Sequence, residues 1–186
     1  MTYYSQKELE RLGFKSLGTD VKISKKASIF DYEKIEIGNH TRIDDFCVIS
    51  GQIVLGDYNH ITPMCLVAGG EPGIFFSDFC TLAYGVKVFS QSDDYTGETL
   101  VNSLIPEKYK NETKESILLG KHVVIGANSV VFPGVRLAEG SSIGAMTLVT
   151  KNTEPWSIYL GIPARRIKER KKDLLKLEAQ FLEAST

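Results

Sequence analysis

The stretch that decides the fold is LLGKHVVIGANSVVFPGVRLAEGSSIGAMTLV, residues 118–149. Within it an aliphatic side chain returns at every sixth position, and residues 37–67 keep the same spacing. A helix would need apolar residues about 3.6 positions apart and a half-buried strand would need them two apart, so neither element alone explains the pattern. The two series are Leu119, Ile125, Val131, Leu137, Ile143 and Val149, and Ile37, Ile43, Ile49, Leu55, Ile61 and Val67.

A spacing of six is typical of short strands separated by tight turns. The residue two positions before each aliphatic one is often small or aliphatic too, as at Thr41, Cys47 and Val123, and alternate residues of a strand point to the same side. Three strands and three turns close one coil of a triangular prism, which buries its inner face by stacking on its neighbours. The sequence therefore predicts an all-β parallel β-helix of about six coils, rather than a sandwich with turns about 8 to 12 residues apart.

Segments without the repeat flank and interrupt this prism. A short helix predicted from Gln6 to Leu12 would cover an open coil end. The long excursion that follows Val88 is of a kind that is usually functional or disordered. From Ala164 onward the pattern predicts an amphipathic C-terminal helix. The predicted single domain of residues 1–186 thus has a cap at 1–20, the β-helix at 21–152 with its loop at 90–116, and a C-terminal extension at 153–186.

Composition argues against several classes of protein. Lys and Arg number 22 against 23 Asp and Glu, so a formal net charge of −1 offers no field that would attract nucleic acid. The N-terminal residues lack a signal-peptide pattern and no run of about 18 apolar residues occurs, which predicts a soluble cytoplasmic protein. Cys47, Cys65 and Cys80 lack CxxC spacing and are expected to be small buried side chains, not a disulfide framework or a zinc site.

Three segments resemble one enzyme family. Ile117–Val135, Ser142–Lys151 and Gly161–Ile167 are similar to stretches of the galactoside, maltose and xenobiotic acetyltransferases, and of sugar acetyltransferases of surface-polysaccharide synthesis, all built on hexapeptide repeats. The resemblance spans roughly residues 35–170. It implies a left-handed β-helix, a homotrimer, and acetyl-coenzyme A as acyl donor in the groove between subunits, with a sugar hydroxyl or an amino sugar as acceptor.

The same resemblance implies a set of coenzyme-binding residues. Small side chains would let the pantetheine arm lie against the backbone, whereas cations suit the phosphates. The cations could equally be solvated surface residues. Val124 departs from the family, because many relatives have Trp there, so the pocket wall is expected to differ. The implied residues are Ala127 and Ala145 at the pantetheine, Thr150 and Lys151 near the nucleotide, and Arg165 or Arg166 at the phosphates.

Acyl transfer needs a base for the acceptor's proton and a donor that stabilises the tetrahedral oxyanion. Of the three histidines, His40 and His122 fall near turns and are interpreted as exposed corner residues. His60 precedes an inward aliphatic residue and therefore points outward from a strand. Counting through one coil places Arg42 and Thr81 beside it on the outer face, where they could bind substrate. His60 is therefore a candidate base, although it could also be a solvated surface residue.

The excursion loop lacks the histidine that galactoside-type relatives have at its start. The matching stretch reads Ser90-Gln91-Ser92-Asp93-Asp94. Asp93 could be the base if burial raised its pKa from about 4; otherwise the base is His60, which we favour. Asp93 and Asp94 would then orient His60 or bind the sugar together with Tyr95, or the two acids could belong to a structured turn.

Two other functions fit the same scaffold. A trimer that has lost turnover would explain the missing loop histidine and would serve a binding or structural role. A zinc enzyme resembling carbonic anhydrase would need three converging histidines, but those of this chain fall on different positions of the repeat or on distant coils. We therefore expect no metal, and propose an acetyltransferase acting on a sugar, an acceptor chosen by family analogy.

Overall fold

The structure, a computed structural model, describes residues 2–184 and is a left-handed parallel β-helix. The chain winds through three sheets in turn. Sheet 1 contains β1 (Ser16–Leu17), β4 (Ile35–Ile37), β7 (Ile53–Leu55), β10 (Ile74–Phe76), β15 (Ile117–Leu119) and β18 (Arg136–Leu137). Sheet 2 contains β2 (Lys22–Ile23), β5 (Arg42–Ile43), β8 (His60–Ile61), β11 (Thr81–Leu82), β16 (Val124–Ile125), β19 (Ser142–Ile143), β21 (Ser157–Leu160) and β22 (Arg165–Glu169). Sheet 3 contains β3 (Ser28–Ile29), β6 (Val48–Ser50), β9 (Leu66–Ala68), β12 (Lys87–Phe89), β17 (Val130–Val131) and β20 (Leu148–Val149).

The aliphatic residues of the six-residue repeat form the core of the prism, as predicted. All twelve aliphatic residues of the two long series are buried, as are the small residues two positions before them, including Thr41 and Cys47. Cys65 and Cys80 are buried free thiols as well. Neighbouring coils pair in parallel, for example Ile37 with Leu55, so each inward residue stacks on the equivalent residue of the next coil.

The prism is longer than the repeat alone indicates. Sheet 1 begins at Ser16 and sheet 2 continues to Leu160, which gives about seven coils. The predicted N-terminal helix is found as α1 (Gln6–Glu10). Ser5 caps it, because its side chain accepts from the backbone N–H of Glu8, whose carboxylate accepts in return from the Ser5 backbone.

The C-terminal helix begins ten residues later than predicted. The prediction was wrong for residues 164–173, because Arg165–Glu169 forms β22 instead, paired antiparallel with β21. This pairing satisfies the backbone groups at the edge of the last coil, which would otherwise be exposed. The helix itself is α2 (Leu174–Ala184).

Helix α2 packs along the corner between sheets 1 and 2, which we call corner 1–2. Aromatic residues of five coils lie there in a left-handed conformation, and the first four rings stack in succession. Phe181 of α2 meets one ring edge-on, and Glu178 bonds to another. The stacked residues are His40, Tyr58, Phe79 and His122, and the Trp156 ring is tilted against that of His122 at a centroid distance of 6.2 Å.

The excursion loop leaves the prism at the corner between sheets 3 and 1, corner 3–1. Two short strands, β13 (Gln91–Ser92) and β14 (Thr113–Lys114), pair antiparallel and close its base. Lys110 is largely buried and pairs with Glu112. Among residues 2–184 there is no helix with the length and apolar character needed to cross a bilayer.

Candidate active site

The outer face of sheet 2 has the register predicted for His60. Arg42 and Thr81 are its direct neighbours on the two adjacent strands. The His60 side chain is 37% exposed, so it is open to a ligand while its edge contacts protein. Val124 follows Thr81 on the same face.

A buried carboxylate lies on this face, directly after β5. The Asp44 side chain is 2% exposed and accepts hydrogen bonds from Arg42 Nε at 2.7 Å, His60 Nε2 at 2.9 Å and the Tyr3 hydroxyl at 3.0 Å. Burial would raise the pKa of Asp44, but the hydrogen bonds from Arg42, His60 and Tyr3 outweigh it and hold that pKa below its usual value. Asp44 is therefore an anion at neutral pH.

Asp93 and Asp94 lie on a different part of the same chain. With Tyr95 and Thr150 they line a cavity of about 440 Å³ between the excursion loop and corner 3–1. The cavity thus places Asp93, Asp94 and Tyr95, which were predicted to act on or bind the acceptor, beside Thr150, which was predicted to bind the coenzyme. In a single chain the His60 imidazole is bound to Asp44 and not to either loop carboxylate.

The adjacent loop residues Asp93 and Asp94 differ in the hydrogen bonds that their carboxylates accept. Both carboxylate oxygens of Asp94 accept hydrogen bonds within the loop, from the backbone N–H groups of Thr96 and Thr99 and from the Thr99 hydroxyl. These bonds lower the pKa of Asp94 to about 2. Asp94 has the contacts of a structured turn, whereas Asp93 is exposed and accepts one backbone bond, from Asn102.

Thr150 and Lys151 follow β20 at corner 3–1, whereas Arg165 begins β22 of sheet 2. Thr150, Lys151 and Arg165 line a cavity of about 100 Å³, and Thr150 also lines the larger cavity. The two cavities therefore adjoin at Thr150. Arg166 points elsewhere: its Nε donates to the Ser157 hydroxyl and pairs with Glu154.

Ala127 and Ala145 lie at the corner between sheets 2 and 3, corner 2–3, just after β16 and β19. Strands of sheet 3 separate them from Thr150. A single prism therefore carries the predicted site residues as two groups, which we call half-sites. Half-site A, on sheet 2 and corner 2–3, contains Arg42, His60, Thr81, Ala127 and Ala145. Half-site B, at corner 3–1 and the two cavities that adjoin there, contains Asp93, Asp94, Tyr95, Thr150, Lys151 and Arg165.

The three histidines each contact a different carboxylate. His40 lies 3.1 Å from Asp20, whereas His122 lies 2.7 Å from Glu178. His40 is exposed as predicted, but the prediction of an exposed His122 was wrong, since its side chain is 8% exposed. Trp156 and α2 cover it. Within residues 2–184 no three His, Cys, Asp or Glu side chains form a metal-binding group.

Comparison with known proteins assigns this geometry to a family. A dTDP-4-amino-4,6-dideoxy-D-glucose acyltransferase of Escherichia coli is 41% identical over 184 residues, which cover 97% of this chain and 95% of that protein. The chain belongs to the hexapeptide-repeat acyltransferases. No protein-family model matches it.

Crystal structures of AntD, an N-acyltransferase from Bacillus cereus, superimpose closely on this acyltransferase. The complex with dTDP and 3-hydroxybutyryl-CoA has a TM-score of 0.97 at 44% identity and covers 98% of this chain and 97% of that one. A variant bound to dTDP-4-amino-4,6-dideoxyglucose and coenzyme A has a TM-score of 0.97 at 45% identity and covers 98% of both chains. The family resemblance inferred from the three segments is confirmed.

One residue of the acyltransferase was missed by sequence reasoning. Asp44 is two positions after Arg42, and strand alternation places both on the outer face of sheet 2. An acid beside a candidate histidine was therefore detectable from the register already used for Arg42. What the alternation did not indicate is that Tyr3, from the N-terminal segment, covers the carboxylate.

Proposed function

We propose that this acyltransferase moves an acyl group from coenzyme A to the amino group of a dTDP-linked amino sugar. The proposal is supported by near full-length similarity to AntD, which was crystallised with such a sugar and with coenzyme A. The acetyl group predicted from the sequence is one candidate, and the 3-hydroxybutyryl group bound to AntD is another. The single observation on this chain that favours the reaction is the pair of cavities joined at Thr150, one bordered by cations and the other by loop carboxylates.

The proposed reaction makes one bond and breaks one. The sugar nitrogen attacks the thioester carbonyl carbon, a proton leaves the nitrogen, and the carbon–sulfur bond breaks as the amide forms. The coenzyme leaves as a thiol after it takes up a proton. His60 is our proposed base, since imidazole accepts protons near neutral pH, and Asp93 is the competing candidate. Arg42, Thr81, Asp94 and Tyr95 are the proposed acceptor-binding residues, of which Asp94 is the weakest because its loop occupies both its oxygens.

We also propose a homotrimer. Half-sites A and B lie on opposite edges of sheet 3, so a complete groove needs half-site A of one chain and half-site B of another. The outer face of sheet 3 is suited to a second copy, because it presents Val48, Leu66 and Val130. Corner 2–3 adds the exposed Phe46 and Met64, and apolar surface of this kind marks interfaces. Three free thiols suit a reducing compartment, in line with the proposed cytoplasmic location.

The oligomer can be tested with Leu66→Lys, on the outer face of sheet 3, and the matched Val54→Lys, on that of sheet 1. We expect Leu66→Lys to yield monomers without activity, while Val54→Lys remains a trimer. Sedimentation equilibrium measures the mass and circular dichroism confirms folding. A folded, active monomer of Leu66→Lys would refute the shared groove.

The reaction is tested by thiol release from acetyl-CoA and 3-hydroxybutyryl-CoA with three acceptors: a dTDP-4-amino sugar, the corresponding 4-hydroxy sugar nucleotide and a free galactoside. We expect turnover with the amino sugar, and a mass spectrum showing an amide. Acylation of a hydroxyl alone would overturn the acceptor. Comparison of His60→Ala with Asp93→Asn identifies the base: we expect the first to lower kcat by at least about 100-fold, and the reverse ranking would assign the base to Asp93.

A further inference from the structure

The buried carboxylate of Asp44 contacts the candidate base, His60, at the Nε2 edge of its ring. Its two oxygens are shared among three donors: Oδ1 accepts from Arg42 Nε and the Tyr3 hydroxyl, and Oδ2 accepts from His60 Nε2. A carboxylate can only accept, so Nε2 of His60 bears the proton in this bond. In the neutral imidazole the lone pair then lies on Nδ1.

We propose that Asp44 is a positioning residue for acyl transfer, which fixes the tautomer of His60 so that Nδ1 receives the proton of the acceptor's amino group. The inference depends on the proposed function through the role of His60. Arg42 and Tyr3 complete the arrangement by holding the carboxylate in one orientation. Tyr3 also ties the N-terminal segment to this site, 41 residues away along the chain.

Asp44→Asn is a sharp test, because it preserves the shape of the side chain while it changes the hydrogen-bonding capacity and removes the negative charge. The Asn side chain has one oxygen and one NH2 group. Since Arg42 Nε can only donate, the oxygen stays with Arg42 and the NH2 group faces His60. The imidazole must then accept at Nε2 and bear its proton on Nδ1, so the substitution is expected to invert the tautomer and remove the basic nitrogen from the groove.

The matched control is Asp45→Asn. Asp45 is the next residue, and it accepts from Ser24 and pairs with Lys26 instead of His60. This variant measures how the loss of one negative charge at the same corner of the prism affects stability and kcat by itself. The thermal midpoint of both variants, measured with the wild type, monitors folding.

The tautomer is read directly by long-range ¹H–¹⁵N correlation spectra of the labelled full-length protein. The chain has three histidines, and His60→Gln identifies the signal of His60. We expect an Nε2–H imidazole in the wild type and in Asp45→Asn, and an Nδ1–H imidazole in Asp44→Asn. An unchanged tautomer in Asp44→Asn would overturn the proposal, whether or not the acceptor is correct.

Kinetics provide the second readout. We expect Asp44→Asn to lower kcat by about 10- to 100-fold, Asp45→Asn to leave it unchanged, and Asp44→Asn to have no further effect when added to His60→Ala, because it acts through His60. Independent losses that multiply in the double variant would show a role separate from His60 and refute the positioning. If wild-type protein fails to acylate any amino sugar, the proposed function fails, while the spectra still decide the tautomer.

Discussion

Nε2 of His122, on corner 1–2, lies 2.7 Å from a carboxylate oxygen of Glu178 in the C-terminal helix. Both side chains are about nine-tenths buried, and Lys121 pairs with the same carboxylate. The contact joins residues 56 positions apart and holds α2 against the stacked rings of the prism. It therefore connects the stability of the last helix to the protonation of one carboxylate.

We expect Glu178→Gln to lower the free energy of unfolding by about 1.5–3 kcal/mol at pH 7, the range of a hydrogen bond to a charged group. Burial would raise the pKa of Glu178, but Lys121 and His122 outweigh it and lower that pKa in the folded state. Stability from a depressed folded pKa is complete above the unfolded value of about 4.3 and is lost as pH falls through the folded one. Wild type and variant should therefore converge in denaturant titrations as the pH falls through the folded pKa of Glu178. Glu183→Gln, exposed on the same helix, should change little at any pH.

Gly51 allows two coils to approach at corner 3–1. Its φ is +77°, and a Cβ there would overlap the backbone nitrogen of Gly70. Gly13 has a similar φ of +82°, but a Cβ added there would meet open space. We expect Gly13→Ala to cost about 1–2 kcal/mol from the left-handed backbone, and Gly51→Ala to cost clearly more. Equal unfolding free energies for the two variants would contradict the close approach.

Arg165 and Arg166 are adjacent but have different proposed roles: Arg165 contacts the coenzyme, and Arg166 has a structural contact. Arg165 lines the cavity that contains Thr150 and Lys151, whereas Arg166 pairs with Glu154. We expect Arg165→Ala to raise the KM for acyl-CoA about ten-fold, equivalent to about 1.4 kcal/mol, with kcat little changed. Arg166→Ala should leave that KM unaltered. Steady-state kinetics at saturating acceptor measure both, and the opposite ranking would move the phosphate site to Arg166.

The three cysteines should be unreactive in the folded protein. All are buried, and burial raises the pKa of Cys80 to about 12, so its reactive thiolate is scarce at neutral pH. We expect less than one thiol per chain to react with a disulfide reagent under native conditions, and three after unfolding in guanidinium. Rapid native labelling would show that the core opens. Slow labelling also keeps the background low in the thiol-release assay.

The sequence alone determined the prism and the outer register of sheet 2. Both follow from local geometry, because a fixed repeat of strand and turn places equivalent residues above one another, and so His60 could be placed beside Arg42 and Thr81 by counting. Only the tertiary structure decided where the non-repeating segments lie. It showed α2 burying His122 and Tyr3 covering Asp44. These arrangements depend on packing between residues far apart in the chain, which no periodicity encodes.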